Sequence, residues 1–99
     1  MRRVPVQTLE ETIADLIGTS VSVLPTDYLA ALTKASEDES CPLGKSIIKR
    51  LLDNARFAQA TGIPTCQDTG MAVVFLEVGQ EVVLEGGSAA GAVEAGVRR

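Results

Sequence analysis

The chain has 99 residues, 45% of them hydrophobic but only 3% aromatic, so it can form at most one small domain with an aliphatic core. Its formal net charge of −4 argues against a general nucleic-acid surface or an anionic-membrane surface. Histidine is absent, which excludes Ser-His or Cys-His nucleophilic machinery and histidine-based zinc sites. Any acid–base chemistry would therefore use carboxylates, hydroxyls, lysines or a metal-bound water.

The amino terminus and the cysteines favour a cytoplasmic protein. Residues 1–5 include two arginines but no apolar stretch follows them, so they do not form a secretory signal, and no apolar run is long enough to span a bilayer. Cys41 and Cys66 are expected to be reduced thiols, because disulfides are rare in chains without an export signal. We therefore expect a cytoplasmic location, with neither a membrane nor nucleic acid as a partner.

Helices are predicted throughout the first 62 residues. Thr8 opens a capping box, and the apolar residues that follow recur on one helical face, which predicts a helix ending near Gly18 or one turn further. A second helix is predicted to begin with Thr26 as its cap. The third and longest helix is predicted to start around Pro42, with Ser40 or Cys41 in the cap region, and to close at a left-handed Gly62.

The last third of the chain predicts a β-hairpin and the start of a helix. Residues 71–78 are a continuous apolar run rich in β-branched side chains, which is typical of a strand covered on both faces. Gly79-Gln80 has the form of a two-residue hairpin turn, and residues 81–84 would return as the second strand. The predicted class is α+β, in four parts: helices over 1–62, a loop over 63–70, a β-hairpin over 71–85 and a helix start over 88–99.

Four consecutive side chains in the predicted loop carry a thiol, an amide, a carboxylate and a hydroxyl. They are Cys66, Gln67, Asp68 and Thr69. Pro64 fixes its own φ and so ends the preceding helix, and Gly70 allows a tight turn before the apolar run. Side chains on a rigid junction of this kind can be directed at one point. The loop is therefore the candidate functional site.

The motif resembles a known family. Pro64, the run Cys66-Gln67-Asp68-Thr69-Gly70 and residues 71–80 resemble the cysteine motif of the class I (iron–sulfur) fumarate hydratase and tartrate dehydratase family, in its alpha-subunit or N-terminal form. Asn54-Ala55, Gly86-Gly87 and residues 96–99 are also similar to the family. In that family the cysteine ligates a 4Fe–4S cluster, and the adjacent glutamine and aspartate face the substrate.

The resemblance implies roles for the motif residues. Cys66 would be the cluster ligand, Gln67, Asp68 and Thr69 would bind a dicarboxylate substrate, and Asp68 would deliver the proton in a reversible hydration of fumarate or dehydration of tartrate. A 4Fe–4S cluster with one open iron uses three thiolates. Cys41 does not suit a second ligand position, because a helix separates it from Cys66 by roughly 25 Å at 1.5 Å per residue.

The resemblance also implies partners. The chain would be the N-terminal piece of a longer alpha subunit, inactive alone, that assembles with the remaining alpha-subunit sequence and/or a beta subunit into an oligomer. Residues that recognise the second carboxylate would come from elsewhere, with Arg98 and Arg99 as weaker candidates. The choice between fumarate and tartrate stays open.

Three other interpretations of the motif stand beside this one. Asp68 could make only an Asx turn in a structural connector. Asp-Thr-Gly is also typical of aspartic proteases, but the helical first half and the 29 residues after Gly70 do not suit an all-β protease. The third alternative is a non-catalytic acidic α+β interaction module, whose exposed apolar tail assembles with a larger partner.

Overall fold

The computed structural model describes residues 1–99 and contains four helices and two short strands. In chain order these are β1 (Arg2–Pro5), α1 (Val6–Ser22), α2 (Thr26–Asp38), α3 (Pro42–Thr61), β2 (Val82–Glu85) and α4 (Ala89–Arg98). The predicted α+β class is confirmed. None of the four helices combines the length and the hydropathy that a membrane span requires.

The chain divides into two compact units. The terminal unit combines Met1–Gly18 with Thr69–Arg99, and the central unit is Thr19–Asp68. In the terminal unit β1 and β2 form a two-stranded parallel sheet in which Val4 lies opposite Leu84. An ion pair joins Arg3 to Glu85 on the same sheet. Strand β1 was not predicted, because it has only four residues and Val4 is its one partly buried side chain.

The predicted hairpin over residues 71–85 is wrong. A turn does form at its centre, where the Val82 N–H donates to the Gly79 carbonyl at 3.1 Å. However, β2 pairs with β1, and residues 71–79 belong to no strand. The apolar run resembles a buried strand in composition, but a strand also needs a hydrogen-bonded neighbour, and Phe75 is 92% exposed.

The core of the terminal unit lies where α1 and α4 approach each other. Ile13 and Ala92 are buried there, and Gly96 is buried with them. A Cβ atom at Gly96 would lie 2.7 Å from the Glu10 carbonyl oxygen and 2.8 Å from Cγ2 of Ile13. The glycine that weakens α4 as an isolated helix is therefore what lets the two backbones approach this closely.

The central unit contains α2 and α3. Leu52, Ala55 and Ala58 form the buried side of α3. The ends of α3 are as predicted: Cys41 occupies the N-cap position before Pro42, and Gly62 closes the helix with φ 74° and ψ 6°. The Gly62 N–H donates to the Ala58 carbonyl at 2.8 Å.

Two predicted helix starts are wrong. Helix α1 begins at Val6, so Thr8 lies inside it and its carbonyl accepts from the Thr12 hydroxyl at 2.8 Å. Helix α2 begins at Thr26 with Pro25 in the cap position, and the Pro25 carbonyl accepts from the Leu29 N–H. The backbone therefore enters α1 three residues earlier, and α2 one residue earlier, than a threonine cap would place the helix start. The extension of α1 to Ser22 agrees with the expected extra turn.

Replacing Gly96 should destabilise the terminal unit. We expect Gly96→Ala to cost about 1–3 kcal/mol in the free energy of unfolding, because a methyl group overpacks the contact with α1. Gly18→Ala is the matched control: it also places alanine in a helix, but its Cβ meets nothing within 4 Å. It should stabilise by about 0.5–1 kcal/mol. Urea unfolding followed by circular dichroism measures both, and equal effects would contradict the proposed packing.

Candidate functional site

The chain doubles back along α3 before it reaches the motif. From Asn54 to Gly62 the helix advances by roughly 12 Å, and residues 63–65, if extended, return by up to about 10 Å. The left-handed conformation of Gly62 permits this reversal, and Pro64 prevents the helix from continuing. Thr65 consequently lies beside Asn54, whose Nδ2 donates to the Thr65 carbonyl at 2.7 Å.

The peptide group that contains the Thr65 N–H is hydrogen-bonded to α1. The Thr65 N–H donates to the Val21 carbonyl at 2.9 Å. Val21 lies in the last turn of α1, where carbonyl groups have no partner within their own helix. Thr65 is thus tied to the end of one helix and the middle of another, and we call these two hydrogen bonds the Thr65 junction.

The predicted site residues follow the Thr65 junction directly. Cys66, Gln67 and Asp68 are all exposed, and the backbone bends at Gln67 and Asp68. These three residues close the central unit, whereas Thr69 opens the second segment of the terminal unit and is also exposed. Arg98 lies on α4 and pairs with Glu94 at 3.7 Å. The roles assigned to Cys66, Gln67, Asp68 and Thr69 remain predictions.

The metal-ligating capacity of the motif amounts to one thiolate. No group of three or more histidine, cysteine, aspartate or glutamate side chains is placed to hold a metal ion. Cys66 is a free, exposed thiol that follows Thr65, which lies beside Asn54. Cys41 precedes α3, so about 20 Å of helical rise separates the two cysteines. The exposed thiol fits one ligand position of a cluster, and two further thiolates would have to come from other polypeptide.

Cys41 has a distinct electrostatic environment at the start of α3. The backbone N–H groups of Gly44 and Leu43 stabilise its thiolate and lower the pKa of the thiol below its ordinary value. Glu39 holds the same turn from the other side, since its carboxylate accepts from the Cys41 N–H at 2.9 Å. A lowered thiol pKa is the usual effect of a helix N-terminus on a cysteine.

An apolar pocket of about 240 Å³ lies within the terminal unit. Leu9 of α1, Leu84 of β2 and Leu76 of the apolar run are among its walls, and Glu77 is the one charged residue in them. These walls hold no cation, and the carboxylate of Glu77 would repel a dicarboxylate, so they do not suit such a substrate. None of the predicted site residues lines the pocket.

Sequence reasoning missed Asn54 as part of this site. From the sequence alone, Asn54 is only one of the positions that are similar to the family, and no role is assigned to it. The sequence feature that could have indicated this contact is a left-handed Gly62 followed two residues later by Pro64. Where a helix ends and the backbone reverses in this way, the returning chain passes a residue about two turns back along the helix, which here is Asn54.

These features, a cysteine motif at a helix end in an α+β chain, agree with one family. The sequence profile described as fumarate hydratase (Fumerase) matches residues 10–99. Since that match covers nine tenths of the residues, the chain belongs to the fumarate hydratase (Fumerase) family, a family of hydro-lyases.

Curated relatives are similar over most of the chain. A protein of Methanocaldococcus jannaschii, provisionally named L(+)-tartrate dehydratase subunit alpha, is 32% identical over 74 residues, which are 75% of this chain and 26% of that protein. The L(+)-tartrate dehydratase subunit alpha of Escherichia coli K12 is 31% identical over 81 residues, 82% of this chain and 27% of its own length. The chain thus spans about a quarter of these relatives. No solved structure matches it significantly.

The lowered pKa of Cys41 should be visible in its alkylation. In a Cys66→Ser variant, the rate of iodoacetamide reaction at Cys41 should rise through its midpoint at a lower pH in the folded chain than in urea. The reason is that α3 stabilises the thiolate only when folded. Mass spectrometry of timed samples gives the pH–rate profile, and coincident profiles in buffer and urea would contradict the assignment.

Proposed function

We propose that this chain is part of an iron–sulfur hydro-lyase that catalyses the reversible hydration or dehydration of a dicarboxylic acid. The reaction would convert fumarate to malate or tartrate to oxaloacetate. The observation that carries the proposal is the exposed run Cys66-Gln67-Asp68 directly after the Thr65 junction, in a chain that belongs to the fumarate hydratase family. The names of the relatives support tartrate but do not decide between the two substrates.

Cys66 would hold one iron of a 4Fe–4S cluster through its thiolate. Three thiolates suffice for such a cluster when one iron stays open to substrate. An open iron supplies Lewis-acid chemistry at a substrate oxygen when the cluster is bound. The exposure of Cys66 supports this role, because the ligand must be reachable by the polypeptide that supplies the other two thiolates.

Asp68 would handle the proton at the substrate oxygen. In the dehydration direction its carboxylic acid would give a proton to the departing hydroxyl, which leaves as water, while a base from the remaining polypeptide would take the proton from the neighbouring carbon. In the hydration direction the carboxylate of Asp68 would take a proton from the attacking water, and the same base would return a proton to the carbon. Gln67 would donate from its amide nitrogen to a substrate carboxylate and accept from a hydroxyl through its amide oxygen. Thr69 would contact the substrate or hold the backbone of the turn beside Asp68.

The partners would be the remaining alpha-subunit sequence and/or a beta subunit, in an oligomer. An apolar face of residues 71–78 supports this: Met71 is 89% exposed, Val73 68% and Phe75 92%. Contiguous exposed apolar surface of this kind marks an interaction site. The relatives are alpha subunits about four times as long as the matched segment, which also supports further polypeptide. We expect the chain alone to be inactive and the assembled protein to be cytoplasmic.

The same apolar face would also suit the second candidate function, a non-catalytic acidic module that only assembles with a larger partner. Such a module would bind its partner through the face of residues 71–78, and the exposed thiol and carboxylate of the motif would have no function in it. Iron binding that depends on Cys66 separates the two candidates.

Cys66 should be required for iron, and Cys41 should not. The test replaces the matching segment of the Escherichia coli L(+)-tartrate dehydratase alpha subunit by residues 10–99 and co-expresses it with its partner subunit. After anaerobic reconstitution with iron and sulfide, the parent and Cys41→Ala proteins should be brown, whereas Cys66→Ala should lose most of the bound iron and the absorbance. Equal iron in all three would contradict the role of Cys66. A parent that binds no iron would favour the non-catalytic module.

Asp68 should be required for turnover but not for iron. In the same assembly Asp68→Asn keeps the shape of the side chain and removes its proton, so kcat should fall by about 10²- to 10⁴-fold with the iron content unchanged. Asp53→Asn is the matched control, since Asp53 is an exposed carboxylate on α3 paired only with Arg56. Assays with fumarate and with tartrate in parallel also decide the substrate. Unchanged kcat in Asp68→Asn would refute the assignment.

A further inference from the structure

The amide of Asn54 makes a contact that an exposed helical side chain does not need. Exposed amides on a helix are satisfied by water, yet Nδ2 of Asn54 donates to the Thr65 carbonyl, eleven residues further along the chain, at 2.7 Å. Its backbone is held firmly, because Leu52, Ala55 and Ala58 bury the adjacent side of α3. A fixed donor therefore faces the residue that immediately precedes the motif cysteine.

We propose that Asn54 is a positioning residue for Cys66. The Thr65 carbonyl belongs to the planar peptide group that also contains the nitrogen and Cα of Cys66. A hydrogen bond that fixes this oxygen therefore fixes the plane in which the Cα of Cys66 lies. The bond from the Thr65 N–H to the Val21 carbonyl fixes the preceding peptide plane in the same way. Only the φ of Cys66 and its side-chain rotation then remain to be chosen.

The chemistry of an amide suits this position. The side chain of Asn54 is long enough for its amide N–H to reach the Thr65 carbonyl. An aspartate of the same shape would place a negatively charged oxygen next to that carbonyl oxygen. A ligand whose backbone is already placed loses less freedom when it binds a metal. That functional value rests on the proposed role of Cys66, but the positioning itself is a property of the metal-free chain.

The positioning can be measured with a nitroxide spin label on Cys66. In a Cys41→Ser background, Asn54→Asp should add a mobile component to the electron paramagnetic resonance spectrum. It should also speed amide exchange at Thr65 about tenfold, a factor that corresponds to the free energy of one typical hydrogen bond. Gln59→Glu is the matched control, since it makes the same amide-to-carboxylate change at an exposed site of α3. It should change neither reading.

A second label separates local positioning from general loosening of the fold. It is placed on Cys41, at the opposite end of α3, in a Cys66→Ser background. There the spectrum should be the same with and without the Asn54→Asp substitution. If the two labels gain mobility together, or if the Cys66 label does not respond, the positioning role is overturned. Circular dichroism confirms that each variant is folded.

The unsubstituted chain gives a test that does not depend on any variant folding. Nuclear magnetic resonance of the isotope-labelled chain should show a scalar coupling across the hydrogen bond from Nδ2 of Asn54 to the Thr65 carbonyl. Absence of that coupling, together with solvent-like exchange of the Thr65 amide, overturns the proposal. Failure of the reconstituted assembly to bind iron would defeat the proposed function and leave these readings unchanged, so the two failures are distinguishable.

Discussion

A single left-handed residue at the end of α3 controls how this chain presents its motif. Gly62 ends the helix and turns the backbone around, and Pro64 keeps it from becoming helical again. The return path brings Thr65 level with Asn54, so a helix side chain and the end of α1 can both hold it. The exposed thiol, amide and carboxylate that follow are placed by this reversal rather than by a buried core of their own.

Local rules predicted the parts of the fold that depend on local chemistry. The boundaries of α3 follow from Pro42 and Gly62, and both were correct because proline at a helix start and glycine after its end act through their own backbone angles. The starts of α1 and α2 were misplaced because Thr8 and Thr26 resemble caps, while the backbone enters each helix earlier. The strand β1 has too few residues for any periodicity to appear.

Non-local pairing explains the remaining differences. The apolar run 71–78 has the composition of a strand, but whether it forms one depends on a neighbouring backbone, and β2 pairs with β1 instead. The candidate site divides in the same way. Cys66, Gln67, Asp68 and Thr69 were predicted as site residues from the motif itself. The contact of Asn54 with Thr65 could not be predicted from the sequence of α3, because it depends on where the returning chain passes the helix.

The exposed run of residues 71–78 has one more consequence. Residues 71–76 contain no charge and no proline, three of them are valine or phenylalanine, and the first charge appears only at Glu77. Such windows are prone to stack into cross-β aggregates when their backbones find identical copies. A solitary chain therefore carries a built-in liability to fibre formation. A partner polypeptide that covers residues 71–76 would therefore be needed to keep the chain soluble, independently of any role in catalysis.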